Sequence, residues 1–147
     1  MRAIGLDLGS KRIGVALSTS DGVLATPYEV VQRSGDRQRD HRKIRDLALE
    51  AEAEVIVVGL PLHLDGRLSE SANKALAECD ELRATTGLPV ETYDERLTTV
   101  TAARSLQELN LSPAARKRAI DQVAAAVMLQ AWLDHRRAAA DAPEQDP

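Results

Sequence analysis

Residues 55–58 read Val-Ile-Val-Val, a compact β-branched run that stops at Gly59-Leu60-Pro61. A run of this kind belongs to a strand buried on both faces, and such strands sit in sheets with apolar cover on either side. What lies before and after it decides the kind of sheet. Residues 2–8 (RAIGLDL) form a short apolar run ending in an acid, and Gly9-Ser10-Lys11 is a turn signal. Arg12 to Thr19 resumes with Ile13, Val15 and Leu17 alternating, the period of a strand. Ser20-Asp21-Gly22 marks a second turn, and Val23 to Val31 a third strand. Pro27 lies inside that third run, which suits an edge or irregular strand because proline donates no ladder hydrogen bond.

Helices and strands alternate from there. Arg37 to Ala53 places Ile44, Leu47 and Ala48 at helical spacing. Ser69 to Thr86 carries Ala72, Ala75, Leu76, Cys79 and Leu82 on one side, and Gly87 and Pro89 end it. Val90 to Tyr93 is a short strand, and Thr98 begins another helix. Ser112-Pro113 supplies a capping hydroxyl and a first-turn proline for a last helix that runs to about Arg137. The segment AAADAPEQDP has no apolar spacing and reads as a disordered tail over 138–147. The order β-β-β-α-β-α-β-α-α predicts one α/β domain over residues 1–137. Its mixed five-stranded sheet has strands one to three antiparallel, strands four and five parallel, and helices on both faces.

Composition narrows the function. Among 147 residues no apolar stretch approaches the ~20 that a membrane helix needs. The N-terminal segment lacks a secretory pattern, so a cytoplasmic protein without membrane contact is expected. The single cysteine, Cys79, permits no intrachain disulfide or cysteine metal knot and reads as a partly buried structural thiol. The net charge is −4, which argues against a protein that merely coats nucleic acid. Residues 33–45 nevertheless hold Arg33, Arg37, Arg39, Arg42, Lys43 and Arg45 against Asp36 and Asp40. That run is either a solvated helix face or a patch that meets phosphates. Aromatics are few (Tyr28, Tyr93, Trp132), too few for a base-stacking platform. Any nucleic-acid contact should then rest on backbone and shape.

Functional groups of open α/β sheets gather at the carboxyl ends of parallel strands. Asp7 ends the first strand, and Asp94 and Glu95 follow the strand 90–93. Asp121, in the last helix, borders the apolar stripe Ile120, Val123, Val127. A carboxylate there is costly unless paired or metal-bound; its alternative partner is Lys117, four residues earlier. Converging carboxylates repel unless a cation intervenes, and hard oxygen ligands select magnesium or manganese. His41, His63 and His135 form no zinc set. His41 and His135 read as surface residues, while His63 is a candidate to face the site. The glycines around Asp7, with Lys11 and Arg12, serve either a tight hairpin or phosphate binding. They match neither a Walker loop nor a dinucleotide fingerprint.

Four segments in order, GLDLGSKRIGVA (5–16), VVGLPLHLDG (57–66), DERLTT (94–99) and KRAIDQVAAAVMLQAWLD (117–134), together resemble the YqgF family. It is also called RuvX, the Holliday junction resolvases or pre-16S ribosomal RNA nucleases of the ribonuclease H-like (RNase H-like) superfamily. The resemblance covers the chain to about Leu133. It implies an RNase H-like fold and a hydrolase cutting phosphodiester bonds with Mg²⁺ or Mn²⁺. It also implies Asp7, Glu95 and Asp121 as catalytic, metal-binding acids, with Asp94 as the substitute for Glu95. Lys11, Arg12, Arg96 and Lys117 would contact nucleic acid, and Gly59, Pro61, Asp65 and Gly66 would border the site. The expected substrate is structured RNA, the pre-16S precursor, with branched DNA as the rival. Monomer and homodimer both stay open, a junction favouring the dimer. Two other classes compete: a non-catalytic nucleic-acid-binding module and a small ATP-binding protein on a similar hairpin.

Overall fold

The computed structural model describes residues 1–61, 70–94 and 112–141; within 113–122 and at 141 the description is of the helix alone. The chain forms β1 (Ala3–Leu8), β2 (Arg12–Ser18), β3 (Ala25–Gln32), α1 (Arg37–Glu50), β4 (Val55–Leu60), α2 (Glu70–Thr86), β5 (Val90–Asp94) and α3 (Pro113–Asp141). The helix expected from Thr98 falls outside the described residues. The strands order as β3-β2-β1-β4-β5. β1 pairs antiparallel with β2 and parallel with β4, β2 antiparallel with β3, and β4 parallel with β5. This is the mixed sheet that the strand and helix order predicts.

Alternation along the strands divides the core into two layers. Ile4, Leu6, Ile13, Val15, Ile56 and Val58 point to one face, where they meet Ile44 and Ala48 of α1 and Cys79 and Leu82 of α2. Ala3, Ala16, Val55 and Val57 point to the other and meet Ala125, Met128, Leu129, Trp132 and Leu133 of α3. The β-branched run of β4 is buried throughout, because both faces have a helical layer. Pro27 lies in β3, the edge strand. The ladder slips there: Val15 pairs with Glu29 and Ala16 with Pro27, so Tyr28 is an extra residue of a β-bulge.

Several boundaries differ from the sequence expectation: β3 spans Ala25–Gln32 rather than Val23–Val31, β4 runs on to Leu60, and α1, α3 and β5 end at other residues. α1 stops at Glu50 because Glu52 takes a left-handed conformation (φ 57°). The Ala53 amide then donates to the Ala48 carbonyl, 2.9 Å, and the Glu52 amide to Leu49, 3.2 Å, a Schellman closure. Arg2 adds a 3.1 Å hydrogen bond to the Ala51 carbonyl. α3 runs to Asp141, so residues 138–141 are helix rather than tail; alanine, which fills 138–140, is the strongest helix former. β5 includes Asp94, so this acid lies within the strand.

Candidate functional site

The carboxyl ends of β1, β4 and β5 share one edge of the sheet. Leu6 pairs with Val58, and Gly59 and Leu60 pair with Tyr93 and Asp94. Asp7 follows Leu6 and is half-buried. Its place in the alternation is that of Ala3 and Gly5, the face covered by α3. Asp94 alternates with Val90, which packs among the α1 and α2 residues. By strand alternation alone, positions 94 and 7 fall on opposite faces.

A tight turn follows Asp7. The Gly9 amide donates to the carbonyls of Asp7, 3.1 Å, and Arg12, 2.9 Å. A Cβ at position 9 would lie 2.5 Å from the Arg12 carbonyl oxygen, so only glycine fits. Hairpin geometry thus accounts for this glycine. Lys11 is exposed at the tip and Arg12, half-buried, opens β2.

On the α3 face, a Cβ on Gly5 would stand 2.9 Å from Leu129 Cβ and 3.4 Å from the Ala125 carbonyl oxygen. The missing side chain lets the helix lie close to β1. The helix runs antiparallel to the strand. Met1 shares a hollow with Leu133, Arg137 and Ala140, and Gly5 meets Leu129 and Ala125.

On the side of α1 and α2 a cleft of about 350 Å³ is lined by Asp7 itself, with Ser10, Gly59, Pro61, Arg37 and Lys74 also in its walls. A second hollow, about 560 Å³, adjoins it through Ser10, Arg33 and Arg37 and includes Lys11. The basic run 33–45 divides accordingly. Arg33 and Arg37 face the clefts, and Arg39, Arg42 and Lys43 are a solvated helix face.

The floor of the first cleft holds a network that the sequence reading missed. Arg33 donates through both terminal nitrogens to Glu78, 2.9 and 3.0 Å, and its Nε donates to the Gly9 carbonyl, 2.7 Å. His41 Nε2 lies 2.7 Å from the same carboxylate. His41 is only 1% exposed and Glu78 only 4%, which corrects the expectation of a surface histidine. Its position had a signal: His41 precedes Ile44 by three and Ala48 by seven, on the buried face of α1. Burial alone would raise the Glu78 carboxyl, but the hydrogen bonds from His41 and Arg33 outweigh it and hold it at about 2. His135 is exposed, as expected, and Cys79 is buried.

Of the expected acid trio, Asp7 is the member whose side chain is described. Asp121 lies within α3 and Lys117 one turn earlier, both in the part described as helix alone. Glu95, Arg96, His63, Asp65 and Gly66 lie outside the described residues. Among the described residues, no three His, Cys, Asp or Glu side chains gather as a metal site, and no helix is long and apolar enough to cross a membrane.

A family sequence model described as "RuvX: Holliday junction resolvase" matches residues 1–135. The chain belongs to the RuvX family. Its RuvX relatives include a protein of Mycobacterium sp. (strain KMS), 48% identical over 97% of this chain and 85% of that one. Another, from Rhodococcus opacus (strain B4), is 49% identical over 92% and 78%. Both are named "Putative pre-16S rRNA nuclease". Among solved structures, Thermus thermophilus RuvC in complex with a Holliday junction superposes with a TM-score of 0.56 at 20% identity, covering 93% of this chain and 96% of that one. A second Thermus thermophilus RuvC structure gives 0.55 at 16% identity. The RuvX chain thus has the RNase H-like fold of RuvC.

Proposed function

We propose that this RuvX protein is a cytoplasmic, divalent-metal-dependent nuclease that hydrolyses phosphodiester bonds in structured RNA, the pre-16S ribosomal precursor. Asp7, Glu95 and Asp121 are its metal-binding acids. The observation that carries this is the close, antiparallel passage of α3 over β1 at Gly5. Two residues along β1 from Gly5 is Asp7, about 6.6 Å further. One turn back along α3 from Ala125 is position 121, about 6 Å in the same direction. Asp94, which closes β5, is the substitute for Glu95.

The donor set fits a hard ion. Asp7 lies near the end of β1 on the face that α3, the helix of Asp121, covers, and carboxylate oxygens suit Mg²⁺ or Mn²⁺. What the ion supplies when bound is Lewis acidity toward water and charge neutralisation at phosphorus. The chain's own groups do the positioning. Lys11, exposed on the hairpin tip, is within one turn of Asp7 in the chain and takes a substrate phosphate, with Arg12, Arg96 and Lys117 as further backbone contacts.

Branched DNA is the second reading, favoured by the family's description as Holliday junction resolvase. Side-by-side cleavage of precursor ribosomal RNA and a four-way DNA junction, with Mg²⁺, Mn²⁺ or chelator, decides between them. Asp7→Asn is expected to abolish cleavage of the preferred substrate while binding survives. Equal cleavage by wild type and variant would remove Asp7 from the reaction.

A further inference from the structure

We propose that Arg33 is a positioning residue for the metal site: braced by Glu78 and His41, it holds the turn after Asp7 in the geometry that metal binding needs. The inference rests on the reading of Asp7 as a metal ligand and adds a device that the acids themselves do not contain. Arg33 grips the turn at two points. Its backbone amide donates to the Lys11 carbonyl, 2.9 Å, and its Nε donates to the Gly9 carbonyl, 2.7 Å. Gly9 in turn donates to the Asp7 carbonyl, 3.1 Å. The line His41–Glu78–Arg33–Gly9–Asp7 is therefore continuous, and it links α1, α2 and the end of β3 to the end of β1.

The chemistry of the line suits positioning. A guanidinium fork on a carboxylate fixes direction as well as distance. Here the fork uses both terminal nitrogens on Glu78 and leaves Nε for the turn, so the plane of Arg33 is set by three bonds. His41 occupies one carboxylate oxygen and prevents Glu78 from rotating. A buried ion pair gives little net stability over apolar side chains of equal volume. Its distinctive product at this site is a directed bond to one carbonyl. Partners that orient metal ligands in this indirect way commonly change metal affinity or activity by about 10–100-fold when replaced.

The test uses the full chain and Mn²⁺ as probe. Arg33→Ala would strand the Glu78 carboxylate in the interior and threatens folding. Arg33→Lys is therefore the decisive variant, because one ammonium keeps the charge but cannot serve both Glu78 and Gly9 in fork geometry. Calorimetric titration is expected to show Mn²⁺ binding weakened about 10–100-fold. kcat should fall alongside, while KM for nucleic acid stays near the wild-type value. Leu82→Ala, in the same core layer but away from the turn, is the control; it lowers Tm without changing Mn²⁺ affinity. Wild-type Mn²⁺ affinity and kcat in Arg33→Lys would overturn the proposal, as would an equal loss of affinity in Leu82→Ala. Asp7→Asn separates the two levels. If it leaves Mn²⁺ affinity intact, the metal site itself is misassigned and the positioning role falls with it. If it abolishes binding while Arg33→Lys does not, only the positioning role fails.

Discussion

Replacing Gly5 by alanine adds one methyl group between β1 and α3. The new Cβ would stand 2.9 Å from Leu129 Cβ and 3.3 Å from Leu129 Cδ2. Carbon atoms rest at about 3.5–4.0 Å, so the helix must withdraw by about 0.6–1.1 Å. Overpacking of this size costs about 1–3 kcal/mol. At about 2–4 °C per kcal/mol for a domain near this length, Tm should fall by about 2–12 °C. A domain with about 5–15 kcal/mol of stability stays folded at 25 °C, so loss of activity there would not reflect unfolding. The same withdrawal carries the helix turn of Asp121 away from Asp7. A misplacement of about 1 Å can cost about 100-fold in rate. The assay is paired: Tm by calorimetry, and kcat/KM with Mn²⁺ affinity at 25 °C. Trimming Leu129 to alanine should not rescue the variant, because the clashing atom is Cβ. An unchanged Tm would refute the close docking of α3. A lowered Tm with wild-type rate and affinity would refute the placement of Asp121 over Asp7.

The remaining expectations concern charge. The Glu78 carboxyl is lowered in the folded protein from an ordinary value near 4.5 to about 2. Its contribution to stability is therefore complete above pH 4.5 and is lost as pH falls through this window; it amounts to about 3 kcal/mol. Urea midpoints measured between pH 6 and pH 2 should fall more steeply for wild type than for Glu78→Gln, and parallel curves would show that the pair with Arg33 and His41 carries no such energy. Lys11→Ala and Lys117→Ala should each weaken binding to all substrates similarly and reduce the salt slope of log K by about 1. An unaltered slope in either variant removes that lysine from the backbone contacts.

Much of the architecture was legible because its signals are local. The Val55–Val58 run, the alternation of Ile13, Val15 and Leu17, and Pro27 at an edge each follow from side-chain period and backbone chemistry within a few residues. Asp7 was legible for the same reason, being the acid that ends an apolar strand. The glycines had one local reading that held, since Gly9 is required by the turn it closes. Glu95 and Asp121 came from motif resemblance, and their side chains are not among those described.

What sequence alone determined, then, is the succession of strands and helices, the family, and the strand end where Asp7 stands. The buried network was not legible, because its members are 37 and 45 positions apart. A charge or a histidine is tolerated in the interior only when a partner arrives there, and the partner of His41 and Arg33 is delivered by a different helix. The role of Gly5 was decided in the same way: it depends on which surface the folded chain lays against the strand, a distance that no local pattern encodes.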